Sequence, residues 1–106
     1  MPRPVYQVTA RRWAQGWELH IHAAESGIDM HRIGVTQCVT LDGAEFMARD
    51  FVSLLHDVPA DSFDLEVRAE LGGQMLGEPG TRELAELERR LRGRVARLLD
   101  RYRRAR

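Results

Sequence analysis

From Phe63 to Leu71 apolar and polar residues alternate without a break. Phe63, Leu65, Val67, Ala69 and Leu71 stand against Asp64, Glu66, Arg68 and Glu70. Successive side chains of a strand point to opposite faces, so this pattern puts all five apolar residues on one side of an extended segment. Wound as a helix, the same residues would be spread around the axis with no face to bury. Trp17 to His22 alternates in the same way, with Trp17, Leu19 and Ile21 inward and Glu18, His20 and His22 outward. The chain is therefore committed to a sheet with one apolar face, and something must cover that face.

Three further segments supply the rest of the sheet and its cover. Val5 to Arg11 reads as a strand with Tyr6, Val8 and Ala10 on one face. It joins the Trp17 strand through a turn at Ala14-Gln15-Gly16, where Gly16 can take a positive φ. Ala23 to Arg32 is less regular, with a bend at Ser26-Gly27. Ile33 to Val39 then makes a third strand, with Val35, Gln37 and Val39 on one face and Thr36 and Cys38 on the other. Thr40 stands where an N-cap belongs. The helix it opens runs from about Leu41 to about His56, with Leu41, Ala44, Met47, Ala48, Phe51 and Leu55 on its apolar side. Glu45 and Arg49 are spaced to pair one helical turn apart. Val58-Pro59 stops the helix, and the strand from Phe63 follows. The expected class is α+β: a three-stranded antiparallel meander, a helix packed on the sheet, a fourth strand, and a separate C-terminal helix. The sheet face bearing Glu18, His20 and His22 is either solvated or covered by a partner.

Residues 1–71 form the α+β domain in this reading. Residues 72–80, Gly-Gly-Gln-Met-Leu-Gly-Glu-Pro-Gly, form a Gly-rich linker. Residues 81–106 form an amphipathic Arg-rich helix capped by Thr81. Its apolar positions, Leu84, Leu87, Leu91, Val95, Leu98 and Tyr102, repeat after eleven residues. That period gives a nearly straight stripe, to be buried against the domain or against a second copy. The formal charge of zero conceals a division, because residues 1–80 carry a net −6 and residues 81–106 a net +6. All sixteen basic residues are Arg, and Lys and Asn are absent. This is the usage of a GC-rich genome and weakens the inference from arginine to phosphate binding. The single Cys38 favours a reducing, cytoplasmic setting. No apolar run approaches the ~20 residues of a membrane span, and no secretory signal opens the sequence.

The segment Val35-Thr36-Gln37, followed by Thr40-Leu41 and Ala44, resembles the hallmark of the HicB-like antitoxins. In that family a strand ending in Thr-Gln is followed by Thr-Leu-x-x-Ala at a helix start. Tyr6 to Trp13 with Gly16-Trp17-Glu18-Leu19 is similar to the first hairpin of actinobacterial members. Ala48-Arg49-Asp50-Phe51 and Asp61-Ser62-Phe63-Asp64 are similar to their helix end and last strand. The resemblance spans roughly residues 5–71. It implies a partial ribonuclease-H-like domain that binds and inhibits a small HicA-like ribonuclease toxin, often alongside a C-terminal DNA-binding module. The sequence departs from the pattern at Ile33-Gly34, where Pro-Gly is usual, and at Asp42-Gly43, where Glu-Glu is usual. Residues 81–106 offer one helix, whereas a helix-turn-helix needs two.

No catalytic constellation is legible, and the reading is of a non-enzyme without cofactor. His20 and His22 share a strand face at a spacing that could ligate a metal, but no third ligand is identifiable. Cys38 has no histidine placed beside it by sequence. Asp61, Asp64, Glu66 and Glu70 read as solvated carboxylates, not as a ribonuclease H centre. Of Trp13 and Trp17, one is expected in the core and the other half-exposed. The residues singled out for nucleic-acid or partner contact are Arg89, Arg90, Arg94, Arg97, Arg101 and Arg104. Three roles follow: an antitoxin-type interaction domain, a nucleic-acid-binding regulator using this helix, and a homodimeric structural domain.

Overall fold

In the computed structural model the residues described are 3–14, 16–25 and 29–104, with side chains described outside 24–31 and 92–104. Strands β1 (Val5–Trp13), β2 (Gly16–Glu25) and β3 (Asp29–Cys38) form the antiparallel meander. A 3-10 turn at Leu41–Gly43 leads into α1 (Ala44–His56). Strand β4 (Asp64–Leu71) follows, then β5 (Gln74–Met75) and α2 (Glu78–Arg104). The protein is α+β, with one mixed sheet in the order β3-β2-β1-β4-β5. The return from β3 through α1 lays β4 parallel to β1, pairing Val8 with Val67 and Ala10 with Ala69.

Both alternating stretches bury the faces read from sequence. Trp17, Leu19, Ile21, Val8, Ala10, Phe63 and Ala69 form the core, while Trp13 is half-exposed. Leu71 lies at the end of its strand and is exposed. Strands β2 and β3 run further than expected, to Glu25 and from Asp29. That stretch lacks the apolar alternation that reveals a strand, and the expected bend at Ser26-Gly27 lies outside the described residues.

Helix α1 covers the inner face through most of the expected stripe, with Val52 added and its two long side chains left out. Ala44, Ala48 and Val52 are buried and Phe51 packs on the core, but Met47 and Leu55 are exposed. Small residues four apart let the helix lie close to the sheet. The approach is tight over Gly34, where a Cβ would sit 2.3 Å from Phe51 Cζ. Glycine at this point of the junction makes room for the aromatic ring.

Thr40 has the extended backbone of an N-cap, yet its side chain makes no capping bond. The neighbouring Leu41 N–H donates to Glu88 Oε1 of α2 at 2.6 Å. At its other end α1 closes on Asp57 in the left-handed conformation, and Ser53 Oγ donates to the Val58 carbonyl. The expected Glu45–Arg49 pair is present at 3.3 Å.

Residues 72–80, expected as a linker, hold a Gly72-Gly73 turn with positive φ at both glycines, strand β5 and the first turn of α2. Pro79 falls in that first turn, where its missing N–H would have had no helical partner. Thr81 therefore sits inside the helix and is not its cap. Its hydroxyl donates to the Gly77 carbonyl at 3.0 Å and accepts the buried Ala69 N–H at 3.1 Å.

Candidate interaction surfaces

The side of α2 that meets the domain is Thr81, Leu84, Ala85 and Glu88, offset from the expected leucine stripe. Glu88 is the main tie. Its two oxygens accept the Trp17 Nε1–H and the Leu41 N–H, each at 2.6 Å. Arg12 Nη1 lies 3.7 Å away and its guanidinium covers the Trp17 ring. One carboxylate thus joins β1, β2, the start of α1 and α2. Leu87 and Leu91 face outward, each 49% exposed. On α1, Phe46 and Leu54 are 73% and 75% exposed. Both helices therefore present large apolar side chains to solvent.

The arginines singled out from sequence are divided. Arg89 Nε pairs with Asp42 at 3.4 Å and Arg90 Nη2 with Glu86 at 2.7 Å, so both are already engaged by carboxylates. Arg94, Arg97, Arg101 and Arg104 follow on the same helix. Their side chains lie outside the described residues.

Among the described residues no helix packs on the outer face of the sheet. On it His20 lies opposite Thr9 and Val35. On this face, expected to be solvated or covered by a partner, His20 is only 8% exposed, with Glu18 and Arg32 of the same face against it. Its Nε2 is 2.6 Å from Glu18 Oε1, and Arg32 Nη1 is 3.4 Å from its Nδ1. That network suits the tautomer with the proton on Nε2, donating to Glu18. Among the described residues no three His, Cys, Asp or Glu side chains are grouped to hold a metal. No described buried side-chain nitrogen or oxygen lacks a partner.

Family models, curated proteins and solved structures were compared with the chain, and none matches.

The described residues also enclose concave features. A cavity of about 590 Å³ lies where the β1–β2 turn meets the end of β3, between Trp13 and Val39 with Cys38 at its base. Burial, and then the nearby Glu88 charge, push the Cys38 thiol up to about 11. It stays protonated at neutral pH and is a poor nucleophile there. The second feature is a groove of about 460 Å³ along β4, with Leu65 to Arg68 as one wall and the starts of α1 and α2 as the others. The sequence showed β4 plainly, but it could not show that the starts of α1 and α2 flank it. Among the described residues no helix is long and apolar enough to cross a membrane.

Proposed function

We propose that this chain is a protein-interaction domain of the HicB-like antitoxin type, which binds and inhibits a small HicA-like ribonuclease. The observation that carries the proposal is the ordered motif resemblance over residues 5–71. It falls on a strand-strand-strand-helix-strand unit of the kind the resemblance implies. Gly34, Thr36, Thr40 and Ala44 of the junction serve packing and chain direction, leaving binding to the surfaces beside it. The net −6 of residues 1–80 favours a basic partner, and a reducing cytoplasm is the compartment that suits the lone thiol. The test is co-expression with a small basic ribonuclease encoded beside this chain. Growth should be rescued, and a stable complex should co-purify. Continued growth arrest with both proteins expressed and folded would end the toxin-neutralising reading.

The net +6 of residues 81–106 supports a second reading, a nucleic-acid-binding regulator. It requires duplex binding that weakens steeply with salt and is lost when Arg94, Arg97, Arg101 and Arg104 become Gln. Unchanged duplex mobility at low salt would remove it. The exposed Phe46, Leu54, Leu87 and Leu91 support association of two copies as part of either role. A monomeric mass at micromolar concentration would exclude that dimer.

A further inference from the structure

Strand β4 has two edges, and only one is fully used. Along one it pairs with β1 from Val5↔Asp64 to Arg11↔Glu70. Along the other it pairs with β5 only at Glu70↔Met75 and Leu71↔Gln74. The direction of each backbone group follows from two bonds. Asp64 N donates toward β1, to the Pro4 carbonyl. Ala69 points the opposite way, its N–H meeting Thr81 Oγ1 and its carbonyl accepting the Leu76 N–H. Backbone groups alternate along a strand, so the N–H and C=O of Leu65 and Val67 also point away from β1. Among the described residues no strand, turn or side chain bonds to these four groups.

That unpaired edge forms a wall of the 460 Å³ groove. Strand β5 stops after two residues and α2 takes over at Ala69 through Thr81, so the place beside Leu65 and Val67 stays open. The groove holds the half-buried apolar side chains of Leu65, Val67 and Ala85, and its carboxylates outnumber its guanidiniums four to two. Asp42 and Glu78 are paired with arginines at 3.4 and 2.9 Å, whereas Glu66 has no ion pair among the described residues. An exposed edge with free donors and acceptors is a template for strand addition. Backbone bonds then supply affinity, and alternate side chains supply selectivity.

We propose that this groove takes an extended basic segment of a protein partner, added to the sheet as a strand beside Leu65–Arg68. The inward side chains of that segment are apolar and lie between α1 and α2. Its outward side chains are Arg or Lys beside Glu66. The inference rests on the interaction-domain reading but does not require the partner to be a toxin.

The test uses the full chain and a fluorescein-labelled seven-residue peptide of alternating valine and arginine, followed by anisotropy. The peptide should bind saturably. The same peptide N-methylated at alternate residues should bind at least about tenfold more weakly, as should the Val67→Pro variant with the parent peptide. Proline removes only a donor that faces away from β1, so the β1–β4 ladder is kept. If that variant unfolds, the N-methylated peptide on the unaltered protein still decides. A peptide with glutamate in place of arginine should not bind. No saturable binding, or equal binding of parent and N-methylated peptides, would overturn the proposal. Peptide binding without toxin neutralisation would leave the groove standing and remove the toxin. Neutralisation without peptide binding would do the reverse.

Discussion

Helices α1 and α2 lie against the same sheet and are held there by different forces. Helix α1 is held by shape: Ala44, Ala48 and Val52 meet the inner face, and the Phe51 ring rests over Gly34. Helix α2 is held largely by hydrogen bonds, through Thr81 to Ala69 and through Glu88 to Trp17 and Leu41. Close packing is non-directional and tolerates small adjustments. Buried polar ties are directional, and each becomes a cost when one partner is removed. The two helices should therefore fail in different ways.

The sharpest break is Glu88→Ala. It strands the Trp17 Nε1–H and the Leu41 N–H, two part-buried donors, and should cost about 3 kcal/mol in urea unfolding. Amide exchange should accelerate along α2 and at the start of α1, and Glu88→Gln should recover part of the loss. Stability and exchange unchanged from the parent would show that Glu88 is not the tie.

Gly34→Ala should cost about 2 kcal/mol, since the new methyl overlaps the Phe51 ring. A Gly34→Ala, Phe51→Leu double variant should be less unstable than the two single effects added together. Strict additivity would mean that the ring does not set the spacing between α1 and β3. Thr81→Val should cost about 1 kcal/mol by leaving the Ala69 N–H without an acceptor, and Thr81→Ser should restore most of it.

One effect appears only in alkali. An unfolded thiol ionises near 9.0, whereas Cys38 in the fold holds its proton to about 11. Between those values the unfolded state releases a proton that the folded state keeps, so stability should fall as pH rises through this window. Below 9 the contribution is fully present. Cys38→Ala should remove that slope, and Glu88→Ala should shift its upper end downward, since the Glu88 charge contributes to the elevation. A slope that survives Cys38→Ala would belong to other groups.

The contrast between the helices also explains what could be read in advance. The core of the sheet was legible at Trp17, Leu19, Ile21 and Phe63 because alternation reports a face directly. The position of α1 was legible too, although its stripe was displaced toward Val52. Leu41, Ala44, Ala48 and Phe51 face the core as the spacing indicated, while Met47 and Leu55 are exposed and Val52 is buried. The role of Glu88 was not legible. In sequence it is one of several carboxylates among arginines, and nothing local marks it as the partner of an indole and a helix start. The enclosure of His20 by its own neighbours was hidden for the same reason, since a polar residue on an outward strand face gives no local sign of being enclosed. The groove along β4 was equally hidden, because its wall is an absence of pairing.

By itself the sequence determined the local order: where strands and helices form, which strand faces are apolar, and how charge divides between the two parts of the chain. Those properties follow from the side-chain period and from residue chemistry along a few neighbouring positions. Only the tertiary structure decided that β4 lies parallel to β1, that Glu88 of α2 accepts the Leu41 amide, and that Leu65 and Val67 keep an open edge. Each of these depends on groups far apart in the chain meeting at hydrogen-bonding distance, and local patterning carries no record of such a meeting.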